Sequence, residues 1–133
     1  MLARFLILFS FFFLLACKST KNEISKTTTL PDGCKIEKIK FDLTKIDQRG
    51  LAGDEDNKTA VDFEFCIPNT SSTIEEVMAI YPQFKQQESK GKSNCGEHQI
   101  LILGNTYNND YKNILCKLSQ LEYIKEIKQT YWE

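Results

Sequence analysis

The chain has 133 residues, a formal net charge of −1 and 26% charged residues, so it has room for one small domain. Lysines alternate with acidic residues, as in 35–47, and they form no basic stripe. This composition argues against a nucleic-acid partner and against electrostatic attraction to an anionic membrane surface.

The first 16 residues have the organisation of a bacterial export signal. Arg4 supplies one positive charge, and a run that is apolar except for Ser10 follows from Phe5 to Leu15. This run is shorter than the about 17–25 apolar residues that a membrane-spanning helix needs. We therefore expect residues 1–16 to be absent from the mature protein.

The end of this run, Leu14-Leu15-Ala16-Cys17, resembles the lipobox of bacterial lipoprotein precursors. The resemblance implies that signal peptidase II cuts between Ala16 and Cys17, and that Cys17 is acylated with palmitate-type chains. More than one acyl chain would make the anchoring effectively permanent. Lys18 stands where an aspartate retains some lipoproteins in the inner membrane, which favours the outer membrane if the host has one. The alternatives are an ordinary secretory signal that is cut nearby and an uncleaved anchor.

Residues 18–33 are predicted to form a flexible tether. This segment, KSTKNEISKTTTLPDG, is rich in Ser, Thr and Lys, and its apolar side chains are Ile24 and Leu30. Such a composition cannot bury a core. We therefore divide the mature chain into the lipidated cysteine with its tether, 17–33, and one globular domain, 34–133.

Four further cysteines follow the tether: Cys34, Cys66, Cys95 and Cys116. An even number in an exported domain favours two disulfide bonds, which four cysteines can form in three different pairings. The alternative is a zinc site, because Cys95 and His98 lie three residues apart. That pair supplies only half of the ligands of a structural zinc site, so no metal or other cofactor is expected.

Several segments are predicted to form strands. The clearest is 61–67, where apolar β-branched and aromatic residues alternate with other residues. The continuous apolar run 99–104 is typical of a central strand. The segment 35–46 is ambiguous, but alternation in its final portion predicts an additional N-terminal strand. Residues 123–132 are predicted to form the last strand, and the polar segment 84–94 is a loop or a weak edge strand.

Two helices are predicted between these strands. Ser72 can cap the first helix, with Glu75 in the position of a capping box, and Pro82 ends it. Asp110 can cap the second helix. The apolar face of the second helix consists of Ile114, Leu115, Leu118 and Leu121.

The order of these elements predicts the fold class. From residue 60 onward the order is strand, helix, weak strand, strand, helix, strand, which is that of a ferredoxin-like βαββαβ domain. We therefore expect a single two-layer α+β domain with an extra N-terminal strand and stabilising disulfides. In a sheet of order 4-1-3-2 the first and third strands are neighbours, which brings Cys66 close to Cys95. Cys34 then remains to pair with Cys116.

No convergent catalytic set is evident, so no catalytic residue is assigned. The chain has one histidine, His98, and it lacks the G-x-S-x-G motif of serine hydrolases. A small hydrolase or thiol-dependent enzyme that uses His98 with Glu97 or Cys95 is the alternative, although a disulfide would remove the Cys95 thiol. The acidic residues in 54–57 lack the spacing of a calcium loop. A small pocket could form at 104–106 and 108–110, where a strand leads into a helix and backbone N–H groups often bind small anions.

Three segments within about 60–133 resemble small bacterial envelope proteins, and this resemblance implies no particular activity. They are Phe65-Cys66-Ile67-Pro68, Leu103-Gly104-Asn105-Thr106 and Tyr131-Trp132-Glu133. We therefore expect a membrane-anchored extracytoplasmic lipoprotein, facing the periplasm or the exterior, that acts as a binding or accessory module rather than as an enzyme. Its expected partners are the lipid bilayer, through acylated Cys17, and an envelope protein. Inhibition of an envelope-directed enzyme is a further alternative.

Overall fold

The computed structural model describes residues 30–132. The export signal, Cys17 and most of the expected tether lie outside the described residues. The main elements are β1 (Leu51–Ala52), β2 (Thr59–Ala60), β3 (Asp62–Pro68), α1 (Ser71–Ile80), β4 (Lys85–Gln87), β5 (Gln99–Asn105), α2 (Tyr111–Gln120) and β6 (Lys128–Gln129). Neither helix of this part of the chain is long and apolar enough to cross a bilayer.

The main sheet has the strand order β4-β5-β3-β6, and every pair of neighbours is antiparallel. The longest pairing joins β3 to β5, from Asp62 opposite Asn105 to Pro68 opposite Gln99. Strands β1 and β2 form a separate small sheet. The predicted α+β class is therefore confirmed, and 61–67 and 99–104 both form strands as predicted.

The hydrophobic core lies between the two helices and one face of the main sheet. Phe63, Phe65 and Ile67 project from β3 into this core because alternate residues of a strand share a face. The rings of Phe63 and Phe65 both contact Phe84 in edge-to-face geometry. The helices contribute fully buried side chains: Val77, Leu115 and Leu118.

The predicted N-terminal strand is wrong. The segment 35–46 contains two 3₁₀ helices, Ile36–Lys38 and Leu43–Lys45, and only isolated bridges link Ile39 to Ile127 and Ile46 to Ala52. The turn at Leu43 is stabilised by the Asp42 carboxylate, which accepts a hydrogen bond from the backbone N–H of Thr44 (2.9 Å). Burial at Ile39, Leu43 and Ile46 follows spacings of four and three residues rather than two.

The helix caps also differ from the prediction. Thr70 caps α1, because its Oγ1 accepts a hydrogen bond from the Thr73 N–H (3.3 Å), so Ser72 lies inside the helix. Asp110 occupies the N-cap position of α2, but its side chain accepts no hydrogen bond from the helix backbone. The last predicted strand is reduced to Lys128–Gln129, because the chain turns at Leu121 and Ile124 before it reaches the sheet.

Two disulfide bonds join distant parts of the chain. Cys66 is bonded to Cys95, and Cys34 is bonded to Cys116, which is the pairing expected from the strand order. The Cα–Cα distances are 5.5 Å and 4.8 Å respectively. The second bond fastens the start of the domain to α2, where the Lys35 N–H also donates to Ser119 Oγ (3.0 Å).

Candidate functional site

The main sheet has a second face, which points away from the helices. We call it the outer face. It carries the residues of β3 that alternate with the core residues, together with their partners on β5: Asp62, Glu64, Cys66, Leu101, Leu103 and Asn105. Since both helices pack on the opposite face, only loops and the C-terminal segment are available to cover these side chains.

A segment that we call the flap, residues 88–98, covers one half of the outer face. Its Cys95 is bonded to Cys66 of β3, and the N–H of Ser93 donates to Glu64 Oε2 (3.0 Å). Gly91 lies directly against Leu101, which is only 2% exposed although it is outside the main core. Gly91 has φ +59°, a conformation that a residue with a side chain adopts only at a cost. The flap therefore builds a small second core on the outer face.

Glu64 is buried at the border of the flap. It is 1% exposed, and its two carboxylate oxygens accept hydrogen bonds from the Ser93 N–H and from Thr130 Oγ1 (3.2 Å). Both partners donate, so each carboxylate oxygen of Glu64 acts as an acceptor. The opposite residue on β6 is Lys128, but its ammonium group contacts Glu126 Oε1 (2.9 Å). Glu64 thus joins β3 to the flap and to the C-terminal segment.

The other half of the outer face is open and forms what we call the groove, with a volume of about 380 Å³. The groove is lined from the outer face and the C-terminal segment by Asp62, Lys85, Leu103, Asn105, Thr130 and Trp132. Its remaining lining residues are Phe63, Tyr81, Gln83 and Gly104. Trp132 is 68% exposed, and its indole N–H donates to Asp62 Oδ2 (2.7 Å). This bond holds the indole beside the groove. The groove is the strongest candidate binding site in the described part of the chain.

The residues of the enzyme alternative do not converge on the groove. Cys95 has no thiol in this structure because it is bonded to Cys66. Glu97 and His98 are exposed on the flap, and their side chains hydrogen-bond to no residue within 30–132. Among the described residues, no group of three His, Cys, Asp or Glu side chains is arranged to hold a metal ion.

The predicted pocket at 104–106 coincides in part with the groove, because Gly104 and Asn105 both line it, and the three residues also have separate roles. Asn105 lines the groove. Gly104 contacts the core, since a Cβ there would lie 2.6 Å from the ring of Phe84. Thr106 is fully buried and structural: its Oγ1 accepts from the Val61 N–H (2.9 Å) and donates to the Gly50 carbonyl (2.6 Å).

The sequence predicted a pocket at 104–106, which forms part of the groove, but it did not predict the rest of the groove, the flap or the burial of Glu64. One signal was available, because Trp132 is the only tryptophan of the chain and stands at the end of the last predicted strand, 123–132. Its contact with Asp62 spans 70 residues and depends on the docking of the C-terminal segment beside β3.

A second polar cluster surrounds Asp47 in the loop before β1. Its carboxylate accepts hydrogen bonds from the N–H of Leu51 (3.1 Å) and of Arg49 (2.9 Å). It also accepts from the side chains of Lys58 (3.2 Å) and Arg49 (3.3 Å). The Leu51 N–H, followed by the other donors, lowers the pKa of Asp47 from 3.8 to about 2. The charged form therefore stabilises this loop.

This shift predicts a dependence of stability on acid pH. Since the folded-state pKa lies below the unfolded value, the contribution is complete above about pH 4 and is lost as the pH falls through about 2. Asp47→Asn should lower the thermal unfolding midpoint at pH 7 and reduce its decline between pH 4 and 2. Asp54→Asn, in the exposed turn after β1, is the matched control. Identical pH profiles for Asp47→Asn and the parent chain would contradict the prediction.

Comparisons with protein-family models, with curated proteins and with solved structures found no match to this chain.

Proposed function

We propose that the protein is an extracytoplasmic lipoprotein, anchored by acylated Cys17, and that its domain is a binding module of the cell envelope. The observation that carries the binding role is the groove. An open concavity of about 380 Å³, lined by a fixed indole and by polar groups of both charges, has the character of a ligand site. Its volume lies in the range of about 300–1,000 Å³ that is typical of small-molecule sites.

The fold is assigned to the ferredoxin-like class as part of this proposal. The strand order β4-β5-β3-β6 supports the assignment. If these four strands are numbered along the chain, the order is 2-3-1-4, which is the ferredoxin-like order 4-1-3-2 read from the opposite edge of the sheet. The helices support it as well, since α1 follows the first of these strands and α2 follows the third.

The position at which the chain enters the domain is consistent with an anchor. The Cys34–Cys116 bond and the hydrogen bond from Lys35 to Ser119 fix the entry point beside α2, in the helical layer. The groove lies on the opposite face of the sheet. Leu30 packs against the core, so the tether that we propose ends before it, and a flexible segment over 18–29 would have a root-mean-square reach of about 19 Å. A bilayer that holds Cys17 would therefore lie nearest the helices and leave the groove accessible.

The two disulfides support an extracytoplasmic location. Such bonds form and persist in oxidising compartments, whereas cytosolic thiols are usually kept reduced.

The anchor is tested by Cys17→Ser in cells that are fed a labelled palmitate analogue. We expect the variant to take up no label and to accumulate at the size of the precursor, because serine cannot form the thioether that signal peptidase II requires. Ser19→Ala is the control and should be labelled and processed normally. A Cys17→Ser protein that is membrane-bound at its processed size would show that the anchor lies elsewhere.

The binding role is tested by site-specific photo-crosslinking in whole cells. We expect a probe at Asn105, in the groove, to capture one envelope component reproducibly. A probe at the exposed Lys117 of α2 should capture none, because that residue belongs to the helical layer. Capture at Lys117 alone would indicate that the partner binds the helical layer and not the groove.

A further inference from the structure

The geometry points to the groove as a carbohydrate site for neutral oligosaccharides that carry acetamido groups. This inference deepens the proposed binding function and rests on it. It depends on three properties of the groove: an exposed aromatic plate, a rim rich in hydrogen-bond donors, and the absence of net charge among its lining residues.

The aromatic plate is the indole of Trp132. Because the Asp62 carboxylate holds the indole N–H at 2.7 Å, the ring is oriented before any ligand binds. The side chain nevertheless remains 68% exposed, so its area is available for contact. A sugar ring presents a flat patch of C–H groups on one side, which stacks on an aromatic face while the hydroxyl groups remain in contact with polar partners. An amphipathic indole suits such a ligand.

The polar side chains at the edge of the groove offer a ligand more hydrogen-bond donors than acceptors. The Oδ1 of Asn105 accepts from the Tyr107 N–H (3.0 Å), which leaves the amide NH₂ of Asn105 for a ligand. The Oε1 of Gln83 accepts from the Tyr81 hydroxyl (2.8 Å), which leaves the NH₂ of Gln83 in the same way. A ligand with several carbonyl or hydroxyl acceptors matches these donors, and an acetamido group adds a carbonyl to each sugar.

The charges of the groove cancel. Lys85 supplies one positive charge and forms no ion pair with any of residues 30–132, and Asp62 supplies one negative charge. A strongly anionic ligand would meet the Asp62 carboxylate, so a neutral ligand fits better.

The dimensions favour a short oligosaccharide over an added peptide strand. Lys85 on β4 and Asp62 on β3 are separated by β5, so the groove spans two strand spacings, about 10 Å in all. A peptide could instead pair with the free edge of β4. That edge is only Lys85–Gln87, and a short edge that carries a lysine is a poor template for strand addition.

The single tryptophan makes the test direct. The full processed chain in detergent micelles is titrated with the tetrasaccharide of β-1,4-linked N-acetylglucosamine while the indole emission is recorded. We expect a saturable blue shift, because the ligand displaces water from the only indole of the protein. Asn105→Ala should raise the dissociation constant about threefold to tenfold, as the loss of one hydrogen bond predicts.

Matched variants are compared by calorimetry. Trp132→Ala should abolish the binding heat, whereas Tyr107→Ala should leave it unchanged, because Tyr107 is also 68% exposed but lies outside the groove. A titration without saturation, or equal losses in the two variants, would overturn the inference. If an extended peptide shifts the emission and the saccharide does not, the ligand is a peptide and the carbohydrate inference is wrong. If the crosslink at Asn105 persists when the saccharide does not bind, the proposed function stands and only the ligand class fails.

Discussion

Replacing both Cys34 and Cys116 by serine should lower the free energy of unfolding by about 4.5 kcal/mol, because an 82-residue separation would no longer be closed in the unfolded chain. A domain of this size is stable by only about 5–15 kcal/mol, so much of its stability should disappear. The loss is measured by urea denaturation of the full chain without reductant. Both cysteines are changed together, so neither is left as a free thiol.

The second disulfide provides the comparison. Removal of Cys66 and Cys95 together opens a separation of 29 residues, for which the same relation predicts a loss of about 3.6 kcal/mol. In that variant the flap should also lose amide protection around Ser93, since its covalent link to β3 is gone. Unchanged urea midpoints in the Cys34 and Cys116 variant would show that the N-terminal segment is held by packing alone.

The elements that the sequence predicts well are those whose pattern is local. In β3 every second residue is apolar, and in β5 the apolar run is short and continuous, so both strands can be recognised without knowledge of their neighbours. Segment 35–46 lacks such a pattern. Its burial depends on contacts with distant residues, such as the bridge between Ile39 and Ile127, and an irregular chain can satisfy these contacts as well as a strand can.

The candidate site was less predictable because it depends on the far side of the sheet. Glu64 alternates with apolar residues and is therefore predicted to face solvent, yet the flap buries it from 29 residues away. The contact of Trp132 with Asp62 requires the C-terminal segment to lie beside β3, and only the complete strand order determines this. Alternation along one strand indicates which residues share a face. It does not indicate which loop will cover that face.

The disulfide pairing could be predicted from the sequence because the number of alternatives is small. Only three pairings exist for four cysteines, and one prediction about strand neighbours is enough to choose among them. The antiparallel pairing of β3 with β5 puts Cys66 directly opposite Leu101, a few residues after Cys95 in the chain. The prediction that these two strands are neighbours was therefore enough to predict both disulfide bonds.

Gly50→Ala should be among the most destabilising single substitutions in the domain, with a loss of about 2–5 kcal/mol from backbone strain and overpacking together. Gly50 is buried with φ +83°, and an added Cβ would overlap the backbone carbonyl of Thr106. Neither residue can move away easily, because hydrogen bonds hold both in place. The Gly50 carbonyl accepts from Thr106 Oγ1 (2.6 Å), and the same Oγ1 accepts from the Val61 N–H. The added methyl group would therefore separate the loop before β1 from the ends of β3 and β5.

The matched control is Gly96→Ala. Gly96 lies on the exposed flap, its φ is not positive, and the nearest atom to an added Cβ is Gln99 Oε1 at 3.4 Å. We expect the thermal unfolding midpoint of Gly96→Ala to stay close to that of the parent, whereas Gly50→Ala should unfold at a temperature lower by about 8 °C or more. If Gly50→Ala does not fold at all, Thr106→Ser tests the same junction, since it keeps the hydroxyl group and removes only a methyl. Equal midpoints for Gly50→Ala and Gly96→Ala would mean that the loop before β1 does not depend on its contact with Thr106.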